Sequence, residues 1–134
     1  MSKTVKQIHG QIGEDAVAAH YEAEGYCVVT RNYRASHKEI DLIVEDGHYL
    51  VFIEVKARMQ ACGARTRYGR PADAVNAAKR ARTVLAAEAY LREHPTVKQP
   101  RIDIAEVYLT PAESPDDPPA VERVLVFRNA FGAR

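Results

Sequence analysis

Two apolar runs on either side of Asp46-Gly47, residues 39–44 and 50–56, constrain this chain more than any other feature. In the first, Ile40, Leu42 and Val44 alternate with Glu39, Asp41 and Ile43. In the second, Leu50, Phe52, Glu54 and Lys56 alternate with Val51, Ile53 and Val55. A period of two is the signature of a strand, whose successive side chains leave opposite faces. Asp46-Gly47 is a tight-hairpin dipeptide, because Gly accepts the positive φ that such turns demand. The pair is therefore predicted to be antiparallel, which returns Asp41 to the neighbourhood of Glu54.

Glu54 and Lys56 leave one face of their strand roughly 6.6 Å apart, with Val55 on the other. Two carboxylates brought together repel unless a cation lies between them, and oxygen ligands without His or Cys favour Mg²⁺ or Mn²⁺ over zinc. An adjacent amine can orient or deprotonate a water. Asp41, Glu54 and Lys56 are thus candidate catalytic residues, with the two acids as metal ligands, for metal-assisted hydrolysis of a phosphodiester. On spacing alone, the commoner reading of Glu-x-Lys is a solvated ion pair, with Asp41 ending a strand toward water. Strands this apolar on both faces point instead to a buried sheet, where an unpaired charge is expensive.

With 134 residues and 46% hydrophobic content, the chain has enough material for one core and is read as a single domain over 1–134. Its net charge of +1 conceals an asymmetry, since residues 56–82 carry eight basic side chains and one acid, leaving −6 for the rest. A basic stretch beside clustered carboxylates suits a polyanion held while one of its phosphates meets a cation. The candidate nucleic-acid-binding residues are Arg58, Arg65, Arg67, Arg70, Lys79 and Arg80, with Tyr68 available to stack on a base. A plain connector and a solvated basic helix face are the bland alternatives. Cys27 and Cys62 have no metal-ligand spacing, and the first ten residues contain no apolar signal region, so a reduced, cytoplasmic protein is expected. No run is long enough to span a bilayer, so no membrane partner is expected.

Along the chain, residues 12–24 read as a helix with an apolar stripe of Ile12, Ala16, Ala19 and Ala23, stopped by Gly25. Gly10 and Gly13 would let its backbone approach another element closely. Glu14 and Asp15 are either favourable charges in its first turn or, for Glu14, a further acid reaching the metal site. Residues 26–34 are β-rich and form the first strand. Residues 58–70 lack periodicity and read as a loop. A second helix is expected from Pro71 to about His94, with Ala74, Ala78, Ala81, Leu85 and Ala89 against a sheet and Asn76, Lys79, Arg80 and Thr83 as its polar face. Residues 101–109 form a fourth strand, and the Pro-rich connection 110–120 leads to a last strand over 121–127, antiparallel to the fourth.

The order helix, three strands, helix, strand, with an acid on the second strand and Glu-x-Lys on the third, resembles the restriction-endonuclease-like, PD-(D/E)XK nuclease superfamily. The whole chain is similar to the YraN-like bacterial family, usually grouped with Holliday-junction resolvases. The motifs that carry this are Gly13-Glu14-Asp15, Arg31-Asn32-Tyr33-Arg34, Glu39-Ile40-Asp41-Leu42-Ile43, Val51-Phe52-Ile53-Glu54-Val55-Lys56, Lys79-Arg80, Arg101-Ile102-Asp103 and Asn129-Ala130-Phe131. Lys38 stands where the family usually has Gly. The resemblance implies an α/β fold with a restriction-endonuclease-like core, a mixed central β-sheet flanked by helices. It also implies Asp41, Glu54 and Glu14 as ligands of Mg²⁺ or Mn²⁺, Lys56 as the catalytic lysine, and a two-fold dimer acting on branched DNA.

The leading expectation is therefore a metal-dependent endonuclease acting on branched or damaged DNA. The alternative is a catalytically silent nucleic-acid-binding module that keeps the fold and the basic loop. A third possibility, an interaction protein with a structural ion-pair cluster, predicts no salt-sensitive affinity for DNA.

Overall fold

The computed structural model describes residues 3–36, 38–60 and 77–130. Helix α1 (Val5–Ala23) is followed by strands β1 (Cys27–Ala35), β2 (Lys38–Glu45) and β3 (Tyr49–Met59). Helix α2 (Ala77–Glu93) and strands β4 (Gln99–Thr110) and β5 (Ala120–Phe127) complete the order. The five strands form one mixed sheet in the order β1-β2-β3-β4-β5. Only β3 and β4 run parallel, and the crossover between them carries α2. This is the expected mixed α/β architecture, a sheet flanked by two helices, and it agrees with a restriction-endonuclease-like core.

The sheet separates two apolar layers. On one side α1 contributes Val17, Ala18 and Tyr21 to a cluster with Leu42, Val44, Val51, Ile53, Ala105, Val107 and Leu109. On the other, Ala86, Ala87 and Tyr90 of α2 meet Ile43, Leu50, Phe52 and Ile102. Helix α2 lies chiefly over β1 and β2, whereas α1 touches all five strands. Because both faces of the central strands are covered, β4 is buried without interruption from Arg101 to Leu109, as a strand clothed on both sides must be.

Several local expectations change. Helix α1 begins at Val5 because Thr4 caps it. The Thr4 hydroxyl accepts from the Gln7 N–H at 3.1 Å, while the Gln7 side chain accepts from the Thr4 N–H at 2.9 Å. Glu14 and Asp15 consequently lie mid-helix, and the first-turn dipole reading does not apply to them. The packed stripe is Gly13, Val17, Ala18 and Tyr21, while Ala19 and Ala23 face water. Gly13 does provide close approach, since a Cβ there would sit 3.2 Å from the Ala57 Cβ, whereas nothing lies within 4 Å of one at Gly10.

The hairpin is closed by Asp46 rather than by a positive φ at Gly47. Its carboxylate accepts from the His48 and Tyr49 N–H groups at 2.8 and 2.7 Å, which holds it below the ordinary aspartate range. Strand β3 runs on to Met59, so Arg58 belongs to a strand and not to the loop. In α2 the expected stripe faces outward, with Ala78 and Ala81 exposed and Leu85 48% exposed. The inward face is Thr83, Ala86, Ala87 and Tyr90, because Tyr90 buries far more surface than any alanine and stacks edge-on against Tyr33 and Phe52. Residues 61–76, which hold Arg65, Arg67, Arg70 and the expected start of α2 at Pro71, lie outside the described residues.

Candidate active site

The site is a fork in the sheet. Strands β2 and β3 pair only from Leu42–Glu45 to Leu50–Ile53, while β3 continues beside β4 as far as Met59. Where the hairpin opens, the Asp41 carboxylate takes over from the missing ladder, and its Oδ2 accepts from the Val55 N–H at 2.8 Å. Ile40 and Ile43 both join the α2-side cluster although they are three apart, so strand alternation breaks at this point. Opposite, Asn32 adopts φ 54°, a left-handed conformation unusual within a strand, and its side chain hydrogen-bonds Glu14.

Asp41 is the electrostatic focus. Burial, opposed by the Val55 hydrogen bond and reinforced by the charges of Glu54, Glu14 and Glu39, pushes its carboxyl from an ordinary 3.8 up to about 7. Glu14 is likewise raised by burial, against the lowering effects of Arg31 and Asn32. Asp15, in contrast, is lowered by its hydrogen bond to Arg31, 2.7 Å away. The fork thus gathers negative charge around Asp41, from Glu54, Glu14 and Glu39.

Glu54 stands one strand position beyond the fork and is only 5% exposed. Its Oε2 lies 3.5 Å from Lys56 Nζ, as the shared strand face required, and 2.9 Å from Lys79 Nζ of α2. Farther along the same face, Arg58 sits 3.4 Å from the buried carboxylate of Glu106, which also accepts from the Tyr108 hydroxyl at 2.7 Å. Among the described residues, no three His, Cys, Asp or Glu side chains close into a preformed metal cage.

The structure therefore brings Asp41 within electrostatic reach of both Glu54 and Glu14, with Glu54 itself met by Lys56 and Lys79. Lys79, expected to face a polyanion, is turned inward onto Glu54. Arg58 is anchored by Glu106, and Arg80 is half-buried on α2. Asn32 and Glu106 were not singled out as site residues. An Asn within a β-rich run is the signal for the first, since Asn disfavours strands and tolerates the left-handed region. An acid inside the apolar run 101–109 is the signal for the second. None of the helices among the described residues is long and apolar enough to cross a membrane.

Known proteins share this sequence over most of its length. The UPF0102 protein of Desulforapulum autotrophicum is 38% identical over 127 residues, 94% of each chain. That of Caldanaerobacter subterraneus is 33% identical over 132 residues, covering 98% of this chain and all of the relative. That of Symbiobacterium thermophilum is 43% identical over 99 residues, 73% of this chain and 80% of the relative. The family model described as Uncharacterised protein family UPF0102 matches residues 13–107, a span that holds Glu14, Asn32, Asp41, Glu54, Lys56 and Glu106. The chain belongs to the UPF0102 family.

Proposed function

We propose that this protein is a metal-dependent endonuclease that hydrolyses phosphodiesters in DNA, with branched or damaged DNA as its substrate. The observation that carries the reading is the fork itself, which holds an Asp41 carboxylate, its pKa raised by burial and by its acidic neighbours, against the strand that presents Glu54 and Lys56. The donor set suits Mg²⁺ or Mn²⁺, because these ions take one or two protein carboxylates and fill their remaining positions with water and phosphate oxygens. Asp41 and Glu54 would hold the ion, with Glu14 as the further acid on the α1 side. A bound divalent ion supplies charge neutralisation on the phosphoryl oxygens and a more acidic water. The Lys56 ammonium donates to the attacking water and holds it at Nζ, and the proton that the water loses passes to solvent. The water oxygen bonds to phosphorus as the bond to the leaving oxygen breaks. Asp41 and Glu54 keep the reacting groups in register.

One observation favours a second reading. Glu54 is met by two ammonium groups, the closer from Lys79, so its charge is already balanced without a metal. That arrangement suits a nucleic-acid-binding module that keeps the fold without cleaving. Incubation of four-way-junction, nicked, duplex and single-stranded DNA with Mg²⁺, Mn²⁺ or EDTA separates the two. The nuclease cuts at least one substrate with a divalent ion and none in EDTA. Salt-sensitive binding without cleavage under every condition transfers the assignment to the binding module.

A further inference from the structure

Asp41 and Glu14 also border a cavity that Lys56 and Lys79 do not line. Between the first turns of α1 and the ends of β1 and β2 lies a polar cavity of about 630 Å³, floored by Asp41 and Glu14. Its walls carry three cations, Lys3, Lys6 and Arg34. Neither lysine makes an ion pair among the described residues, and Arg34, 76% exposed, holds Glu39 only loosely at 3.6 Å. Lys3 just precedes the Thr4 cap, whose capping box fixes the first turn that carries Lys6, and both residues line the cavity.

Two features decide what fits. The volume lies in the range of sites that take nucleotide-sized groups, far more than a bare ion needs. The lining charges balance, with Lys3, Lys6 and Arg34 against Glu14, Glu39 and Asp41. A free anion gains little from such a surface. A chain of phosphates already held at the fork is delivered to it at high effective concentration, and each phosphate can meet one cation.

We propose that this cavity is a backbone-binding subsite for the polynucleotide strand, in which Lys3, Lys6 and Arg34 contact phosphates flanking the one that reaches the fork. The proposal rests on the nuclease reading.

The test is fluorescence anisotropy in EDTA with a labelled single-stranded 30-mer, titrated at several salt concentrations. Parent protein is compared with the triple variant Lys3→Gln, Lys6→Gln, Arg34→Gln and with Arg92→Gln, an exposed site on α2 away from the cavity. The triple variant should bind about tenfold or more weakly, with a log–log salt slope smaller by about two, the value for three lost single-strand phosphate contacts. Arg92→Gln should match the parent. Lysine acylation of the unaltered protein, read by mass spectrometry, supplies a measurement that does not depend on a variant folding, and bound 30-mer should protect Lys3 and Lys6. If the parent binds and the triple variant keeps its affinity and slope, or if both lysines acylate as fast with DNA bound, the subsite is overturned and the nuclease reading stands. A parent that binds no 30-mer overturns the subsite, and one that in addition cuts none of the four DNA forms with a divalent ion overturns both.

Discussion

Replacing Asp41 with Asn removes a charge that the fold holds unfavourably, so the variant should be more stable than the parent wherever that charge is ionised. The carboxyl is displaced from 3.8 to about 7, chiefly by burial. A displacement of that size corresponds to about 4 kcal/mol of destabilisation once Asp41 is ionised in both folded and unfolded chains. Asn keeps an acceptor oxygen for the Val55 N–H, but a neutral acceptor is weaker by about 1 kcal/mol. Asp41 is also partly open to the α1-side cavity, where water screens it, so the net gain is about 2 kcal/mol. At roughly 2.1 cal/mol/K per residue, that raises the Tm of a 134-residue domain by about 7 °C. The sign follows from the raised folded value. Below pH 4 Asp41 is protonated in both states and the advantage vanishes. It grows as pH rises from about 4 to 7 and is complete above 7. Differential scanning calorimetry of both proteins from pH 4 to 8 checks this, repeated with Mn²⁺, which should raise the parent's Tm by mass action and leave the variant's unchanged. A variant less stable at pH 8, or one with the same advantage at every pH, would refute the electrostatic account of the fork.

Other substitutions read other parts of the molecule. Gly13→Val forces methyl groups into the Ala57 contact and should cost about 2 kcal/mol in urea unfolding. Asp103→Ala strips the partner from Arg101, 3.0 Å away, and from the Tyr21 hydroxyl at 2.6 Å, both buried. It should cost about 4 kcal/mol by the same assay, making it the most damaging of the set. Lys79→Met withdraws the closer of the two amines from Glu54 and should strengthen Mn²⁺ binding a few-fold in titration calorimetry, whereas unchanged affinity would remove Glu54 from the cation site.

The fork was legible because its determinants are local. Alternation over 50–56 put Glu54 and Lys56 on one face, and the two runs on either side of Asp46-Gly47 paired as an antiparallel hairpin that brings Asp41 onto the Val55 N–H, although alternation over 39–44 breaks at Asp41. The start of α1 was less visible, because Thr4 and Gln7 cap a first turn that has no apolar periodicity to announce it. In α2 a row of alanines outnumbered Tyr90 in the pattern, although one aromatic ring outweighs several methyl groups in burial. The inward turn of Lys79 follows from Glu54, a long-range partner that helix periodicity carries no information about. Asn32 takes a left-handed backbone conformation within its strand, which a binary pattern of apolar and polar residues does not encode.

Lys56 distinguishes a nuclease from a silent binding module most directly. Lys56→Met preserves the packing of the stem and removes only the ammonium group beside Glu54. In a single-turnover assay at saturating Mg²⁺, with a DNA that the parent cuts, metal and DNA affinity should stay within a few-fold while the cleavage rate falls by roughly 10² or more. A variant that cleaves at nearly the parent's rate would reduce Lys56 to a counter-ion for Glu54 and contradict the catalytic role assigned to it.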